Sequence, residues 1–383
     1  MIFWSMINRP FLPEEVPEVE IEPREDVCIL QYTGGTTGRS KGVMLTHYNI
    51  IANVYQTFTF TVRDLKIPGE KVLAVAPFYH VYGLTTVLNV SVFRAAAIIC
   101  VERFEAKKLI EIIKRERPTM FSGVPTMYIG LLNEPEATPE VMGSLKICIS
   151  GSAPMPLERM NEFEQKTKAP IVEGYGLSEC SPVSHRNPMG EKRKPGSIGL
   201  PIPNTEAKIV DQENLHRTLK TGEVGELLVR GPQVMKGYWR NKEETAKTLY
   251  DGWLLTGDLA TMDEDGYFYI VGRKKDLIIA SGFNIYPADI EAVLYEHPAV
   301  LEVCVFGIPN SYRGETVHAA VIPRKDMVFN KEELIAFCKE RMAAYKVPKQ
   351  ISIRKELPKT TVGKILRRKL IEEEVKKEVQ TKG

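Results

Sequence analysis

The first half of the chain alternates short apolar runs with amphipathic stretches. Short apolar runs suit buried strands, whereas apolar positions repeating every three or four residues suit helices. The pattern predicts strands at 27–32, 72–77, 95–101, 145–150 and 170–175. It predicts helices from residue 46 onward, at 104–115 and at 157–167. Strands alternating with helices favour βαβ units, so we expect an α/β fold with a mostly parallel sheet.

After Gly196 the pattern changes to strands separated by turns. Strands predicted at 207–211, 225–231 and 266–272 indicate a small antiparallel β subdomain at about 196–272. Farther on, the pattern predicts an α+β unit with helices at 287–297 and 330–344, the second capped by Asn330, and strands at 301–307 and 317–323. We therefore expect a large N-terminal α/β domain at 1–272, a hinge at 273–276 and a small, mobile C-terminal lid domain at 277–383.

Composition excludes several classes of function. Lysine and arginine number 51 against 49 aspartates and glutamates, a net charge of +2 that is too balanced for a surface-wide nucleic-acid footprint. Six cysteines form no C-x-x-C pair, which favours a reduced, cytoplasmic location. The longest uncharged stretch, 72–93, is interrupted by Pro77 and Gly83, and the first residues lack a signal-peptide pattern. We expect no membrane span, and any anionic ligand must be bound locally.

A loop rich in glycine and threonine follows the first predicted strand. Its residues are Thr33, Gly34, Gly35, Thr36, Thr37, Gly38, Arg39, Ser40, Lys41 and Gly42. Glycines allow backbone N–H groups to approach an anion closely, while the hydroxyls and the lysine supply donors and charge. The spacing is not that of a Walker P-loop. The loop predicts a polyphosphate site; a flexible surface linker is the alternative.

Six segments in register resemble the signatures of the adenylate-forming superfamily, which includes acyl-CoA synthetases, luciferase and peptide-synthetase adenylation domains. They lie at 32–42, 77–80, 173–179, 252–258, 272–276 and 358–364, and the resemblance covers nearly the whole chain. The sequence is most similar to fatty-acid–CoA ligases. The resemblance covers the whole C-terminal domain. Before Tyr32, however, there are only 31 residues, whereas members of the superfamily carry a longer segment at this place.

The resemblance implies a nucleotide site. Tyr175 would stack on adenine, edged by Gly151, Ser152, Ala153 and Gly176. Asp258 and Arg273 would bind the ribose, Ser178 a phosphate and Glu179 a Mg²⁺ ion. Residue type alone leaves other interpretations open: a core aromatic for Tyr175, a solvated charge for Glu179, and a buried ion pair for Asp258 with Arg273. Ser152 stands where the family more usually has glycine.

The resemblance also implies the catalytic residues. Lys364 would bridge the substrate carboxylate and the α-phosphate, although a solvated helix start is the simpler interpretation. His80 would lie by the carboxylate pocket and gate the substrate. Lys275 would be the hinge, and Ser281, Gly282 and Phe283 would line a CoA tunnel after the C-terminal domain rotates. Plausible acyl-pocket positions are Val81, Tyr82, Cys180, Val183 and His185.

The expected function is therefore that of an ATP-dependent fatty-acid–CoA ligase for medium or long chains, using ATP, Mg²⁺ and CoA. One alternative is an acyl-AMP ligase, or transfer of the acyl group to a carrier protein. The other is a non-catalytic or partner-dependent subunit, because the N-terminal part is short. A homodimer contact or a second polypeptide could then cover the exposed apolar surface.

Overall fold

The computed structural model describes residues 19–33, 40–61, 69–310, 312–325, 327–360 and 363–382. Within these ranges the strands form four sheets, of three, five, five and seven strands. The α/β fold class is confirmed. None of the described helices is long and apolar enough to cross a membrane.

A seven-stranded sheet forms the centre of the large domain. In spatial order its strands are Ala97–Cys100, Lys71–Ala74, Met120–Gly123, Ile147–Ser150, Ile171–Gly176, Val183–Arg186 and Leu200–Pro201. The first five are parallel, as predicted, and the last two are antiparallel additions. Successive side chains of a strand face opposite sides. Leu73 and Cys148 accordingly belong to one core cluster, while Val72 and Ile149 belong to another.

Helices cover both faces of this sheet. The first cluster packs against helices Ala106–Glu116, Pro125–Leu132, Pro139–Met142 and Leu157–Thr167. The second packs against Val87, in a π-helix at Tyr82–Asn89 that continues as the α-helix Val90–Phe93. The sequence indicated only a turn between buried elements here. The helix was missed because Pro77 and Gly83 lie near its start, and proline and glycine are signals typical of a turn.

Two smaller antiparallel sheets complete the large domain. The three-stranded sheet contains Val27–Thr33, Lys41–Thr46 and Gly237–Tyr238, and the helix His47–Thr61 follows its second strand. The strand Lys41–Thr46 was not predicted. The five-stranded sheet contains Glu206–Val210, Gly225–Arg230, Leu249–Tyr250, Trp253–Met262 and Phe268–Arg273. The predicted antiparallel character of this part is therefore correct. Short helices lie at Ser178–Cys180, Gly190–Lys192 and Lys242–Thr248.

The C-terminal part has its own sheet and core. Its strands are Ile278–Ala280, Phe283–Ile285, Val300–Asn310, Gly314–Pro323 and Gln350–Ile353, and its helices are Pro287–Glu296, Lys331–Arg341 and Arg367–Lys382. A 3₁₀ turn, Lys274–Asp276, joins it to the preceding sheet. Asn330 caps the second helix as predicted, because its side chain accepts hydrogen bonds from the backbone of Glu332 and Glu333. That helix ends at Arg341, three residues earlier than predicted.

Two polar contacts join the C-terminal part to the helix Leu157–Thr167. Arg159, which is buried, donates from Nη2 to the carbonyl oxygen of Tyr295 at 3.2 Å. Arg324 donates from Nη2 to both carboxylate oxygens of Glu162 at 3.0 Å. The two parts are thus held in a defined arrangement, which matters for the site between them.

Gly83 is expected to be essential for the turn that carries His80. A Cβ atom on Gly83 would lie 2.3 Å from the carbonyl oxygen of Pro77. Because this neighbour is a backbone atom, the clash could be relieved only by moving the main chain. Gly83→Ala should therefore lower the free energy of unfolding by about 1–3 kcal/mol, measured by denaturant titration. Gly272→Ala is the matched control, because its Cβ would meet only Tyr286 at 3.9 Å. Equal stability of the two variants would contradict this packing.

Candidate active site

A cavity of about 820 Å³ opens at the carboxyl ends of three parallel strands, where α/β proteins commonly bind ligands. His80 lies shortly after the strand Lys71–Ala74, Gly151 directly follows Ile147–Ser150, and Tyr175 is near the end of Ile171–Gly176. The predicted site residues that line the cavity are Thr33, Lys41, His80, Gly151, Ser152, Tyr175, Gly176, Ser178, Glu179, Arg273, Lys275 and Lys364. Most of the residues predicted from separate segments are therefore brought together.

Other predicted residues lie elsewhere. Gly34, Gly35, Thr36, Thr37 and Gly38 are outside the described residues. Ala153 lines a second cavity of about 430 Å³ instead of the first. Ser281, Gly282 and Phe283 line neither cavity; they form the turn and the start of the strand after Ile278–Ala280.

Two suggested acyl-pocket positions were wrong. Cys180 and His185 are fully buried and do not line the cavity, whereas Val81, Tyr82 and Val183 do. His185 instead packs edge-on against Phe268, with ring centroids 4.8 Å apart. Val183 and His185 are two residues apart and therefore face the same side of their strand. Their difference arises because Phe268, in a neighbouring sheet, covers His185, and such a long-range contact gives no signal in the local sequence.

Tyr175, Asp258 and Arg273 form a chain of contacts at the cavity edge. The hydroxyl of Tyr175 donates to Oδ2 of Asp258 at 2.6 Å. Arg273 Nε lies 3.1 Å from Oδ1 of the same carboxylate, which is 5% exposed. The structure thus contains the buried ion pair between Asp258 and Arg273 that was the alternative interpretation of these two residues. This ion pair lies beside Tyr175, the residue predicted to contact adenine. A ribose would have to bind on the open side of this arrangement.

Ser152 has a backbone φ of 68°, in the left-handed region that favours glycine. This conformation explains why glycine is the more usual residue here in the resembling family. Because the backbone adopts the glycine-like geometry in spite of the side chain, the loop can still present its main chain to the cavity.

Glu179 is oriented by a residue that the sequence analysis missed. Tyr238 donates its hydroxyl to Oε1 of Glu179 at 2.7 Å. The Nζ of Lys41 lies 5.1 Å from the centre of the Tyr238 ring and also pairs with Glu244. Among the described residues no group of three or more His, Cys, Asp or Glu side chains could enclose a metal. A single carboxylate fits Mg²⁺, which is commonly held by one or two carboxylates together with substrate phosphates.

His80 is half-buried, with its Nδ1 accepting a hydrogen bond from the backbone N–H of Tyr82 at 3.3 Å. Burial lowers the pKa of His80, and the charge of Lys364 lowers it further. The ring is therefore neutral near pH 7 and carries its proton on Nε2. A neutral imidazole of this kind can donate one hydrogen bond to a carboxylate.

Lys364 reaches the cavity from the C-terminal part of the chain. Its turn is closed by bonds from the N–H of Thr360 to the Lys364 carbonyl at 2.8 Å and from the Lys364 N–H to the Thr360 hydroxyl at 3.1 Å. Burial lowers the pKa of Lys364 to about 8, and Arg273 lowers it while Asp258 and Asp276 oppose the shift. A half-buried lysine that lines the cavity is not the solvated helix start that composition alone suggested.

The turn Lys274–Asp276 is anchored on both sides. Lys274 Nζ lies 3.1 Å from the buried carboxylate of Glu226 in the large domain. Asp276 accepts from Arg367 Nη1 at 2.9 Å, and Arg367 also bonds Glu291 at 2.8 Å. Lys275 is exposed between these anchors. A signal for Glu226 was present in the sequence, because a glutamate inside the apolar strand Gly225–Arg230 requires a partner.

Comparison with known proteins identifies the family. Residues 5–239 match the AMP-binding enzyme family, and residues 289–364 match the AMP-binding enzyme C-terminal domain. The chain belongs to the AMP-binding enzyme family. The predicted resemblance to adenylate-forming enzymes is thereby confirmed.

Curated relatives within this AMP-binding family are similar over most of the chain. A long-chain-fatty-acid–CoA ligase of Bacillus subtilis (strain 168) is 53% identical over 361 residues, covering 93% of this chain and 63% of the relative. A long-chain-fatty-acid–CoA ligase of Salmonella typhimurium is 42% identical over 353 residues, covering 91% of this chain and 62% of the relative. The chain thus spans less than two thirds of the length of these relatives.

Solved structures of AMP-binding enzymes have the same architecture. ATP-bound MatB from Rhodopseudomonas palustris superposes with a TM-score of 0.86 at 35% identity, covering 92% of this chain and 69% of that one. The o-succinylbenzoate CoA synthetase of Bacillus subtilis in complex with its acyl-adenylate superposes with a TM-score of 0.79 at 34% identity, covering 93% and 72%. The predicted pairing of a large N-terminal with a small C-terminal domain is confirmed.

The affinity for ATP should depend on the charge of Lys364. With a pKa of about 8, the ammonium is present below that pH and lost above it, so ATP binding should weaken by about tenfold as the pH rises from 7 to 9. Calorimetric titration with ATP across this pH range measures this step in affinity. Lys364→Gln should bind ATP more weakly at pH 7 and lack the step. A step of equal size in the variant would assign the titration to another group.

Proposed function

We propose that the chain activates a fatty acid with ATP and transfers the acyl group to CoA. In the first step a carboxylate oxygen attacks the α-phosphorus, the bond to the β-phosphate breaks, and pyrophosphate leaves with the electron pair. In the second step the sulfur of CoA attacks the acyl carbon, AMP leaves and the thiol proton is released. This reaction class rests on family membership and on the printed names of the curated relatives.

The observation that carries the proposal is the meeting of Lys364 with His80 in one cavity. The ammonium lies close enough to affect the pKa of His80. Both the acid and ATP are anions, so their approach requires a fixed positive charge between them. Lys364 would hold the attacking carboxylate and the α-phosphate together, while the neutral His80 would donate to the carboxylate from Nε2.

Three further cations of the cavity fit a polyphosphate. Lys41, Arg273 and Lys275 line the same cavity. Lys41 would exchange its partner Glu244 for a phosphate oxygen when ATP binds. Glu179, oriented by Tyr238, would hold Mg²⁺ against the phosphates; the ion would neutralise charge that develops on pyrophosphate.

An acyl channel runs along one side of the helix that follows His80. Tyr82, Thr86, Val90 and Arg94 are spaced four residues apart and all line the cavity. Residues at this spacing share one face of a helix. Their span of twelve residues corresponds to at most about 18 Å at the α-helical rise, comparable to the depth of about 15 Å of one leaflet of a membrane's hydrocarbon core. This length favours a long-chain acid over a short one.

For the second step we propose that the C-terminal domain turns about Lys275. Residues 274 and 276 are each anchored to a different part, and Lys275 between them is exposed. Rotation would withdraw Lys364 and bring Ser281, Gly282 and Phe283 toward the acyl carbon. Acyl transfer to a carrier protein is the alternative second step, and the choice of acceptor is decided by assay.

The test is a pyrophosphate-release assay with a panel of saturated acids, with and without free CoA. We expect acid-dependent release with the long acids, and formation of the acyl-CoA thioester when CoA is present. Release that stops after one equivalent with CoA present would indicate an acyl-AMP ligase or a carrier protein as acceptor. A chain that binds no ATP and exchanges no pyrophosphate would support the partner-dependent alternative.

The role of Lys364 is tested by separating the two half-reactions. Lys364→Ala should reduce adenylate formation by about a hundredfold or more, because the loss of a preorganised charge costs several kcal/mol in the transition state. Thioester formation from preformed acyl-AMP should be largely unchanged. Lys369→Ala, on the C-terminal helix, serves as the control. Equal loss of both half-reactions would refute the assigned role.

A further inference from the structure

The inner end of the acyl channel carries a buried guanidinium. Arg94 is 5% exposed and lines the same cavity as His80 and Lys364. It is the first charged residue after the uncharged stretch 72–93, directly after the helix Val90–Phe93. An apolar channel built only for a hydrocarbon tail has no need for a positive charge at this position.

The channel crosses the sheet from its carboxyl end to its amino end. His80 lies beyond the end of the strand Lys71–Ala74, whereas Glu70, whose charge affects the pKa of Arg94, immediately precedes that strand. Met120, the first residue of its own strand, also lines the cavity. Arg94 therefore lies at the opposite end of the channel from the reacting groups.

The guanidinium of Arg94 is incompletely bonded. Its Nε and Nη2 atoms have no hydrogen-bond partner in the part of the chain that the structure describes. The adjacent carboxylate, Glu70, pairs through Oε1 with Lys146 at 3.4 Å, and its buried Oε2 makes no hydrogen bond to the described residues, Arg94 included. A buried donor without an acceptor is costly, and a bound molecule that supplies an acceptor would recover that cost.

The described charged groups around this end of the channel are mostly positive. Arg186, buried and lining the cavity, donates to the hydroxyl of Thr61 at 2.6 Å. At the Arg94 end itself, Arg94 and Lys146 contribute two positive charges and Glu70 one negative charge, a balance of +1. The local field therefore favours an anionic or hydrogen-bond-accepting group over a methyl group.

We propose that Arg94 determines specificity by binding an oxygen at the distal end of the acid. The preferred substrates would be long-chain acids that carry a second carboxylate at that end, and next those that carry a hydroxyl. This inference rests on the proposed function, since it names the class of acid that the same channel accepts. The carboxylate near His80 reacts, while the distal oxygens accept hydrogen bonds from the guanidinium.

The experiment compares acids of matched length with the full chain. Hexadecanoate, hexadecanedioate and ω-hydroxyhexadecanoate are titrated by calorimetry and assayed for kcat/KM in pyrophosphate release; the shorter tetradecane and dodecane series are run in parallel. We expect the diacid to bind about tenfold more tightly than the plain acid at the length that reaches Arg94. Equal or tighter binding of the plain acid at every length would overturn the proposal.

Variants at the same position sharpen the test. Arg94→Leu should reverse the preference toward the plain acid, and Arg94→Lys should keep part of the preference for the diacid. Arg115→Leu, at a side chain that is 72% exposed, is the control and should leave the ratio unchanged. If Arg94→Leu fails to fold, the panel of acids with the wild-type chain and with Arg94→Lys still tests whether Arg94 binds the distal oxygen. Binding without pyrophosphate release would count against the proposed function, whereas the binding ratios alone decide the role of Arg94.

Discussion

The position of the Lys364 ammonium, half-buried beside Arg273 and Lys275, is the constraint on which the site depends. Its turn belongs to the C-terminal domain, yet the side chain lines a cavity formed by strands of the large domain. Removing a lysine from water is unfavourable, and here that cost lowers its pKa to about 8. The contacts between Arg324 and Glu162 and between Arg159 and Tyr295 help to hold the domains in the arrangement that keeps the lysine enclosed.

An enclosed ammonium without a full counter-charge is suited to receive anions. Asp258 and Asp276 compensate Lys364 in part, but Arg273 and Lys275 act in the opposite sense. A carboxylate and a triphosphate entering this cavity would therefore relieve repulsion among the cations as well as their own repulsion. The far end of the channel is likewise suited to an acceptor, since Nε and Nη2 of Arg94 have no hydrogen-bond partner among the described residues. On this account the two ends of the channel are both built for oxygen atoms, with an apolar wall between them.

Much of the fold and of the site could be predicted from the sequence, and the failures have physical causes. The parallel strands and the helix Leu157–Thr167 follow from apolar periodicity, and the site residues follow from segments that resemble a family. The helix Tyr82–Asn89 was missed because Pro77 and Gly83 near its start are typical of a turn. The sequence analysis missed Tyr238 and Glu244 because their partners, Glu179 and Lys41, are 59 and 203 residues away along the chain. It missed Arg94 because missing hydrogen-bond partners of a buried guanidinium leave no local signal in the sequence.

The most direct test of the central claim is a measurement of the pKa of Lys364 itself. Lysines labelled by reductive methylation with ¹³C-formaldehyde can be titrated by NMR, with Lys364→Arg assigning the resonance. We expect a pKa of about 8 in the free chain, moving upward when ATP is bound because the phosphates favour the charged form. A pKa near the ordinary lysine value of about 10.4, unchanged by ATP, would contradict the enclosed ammonium.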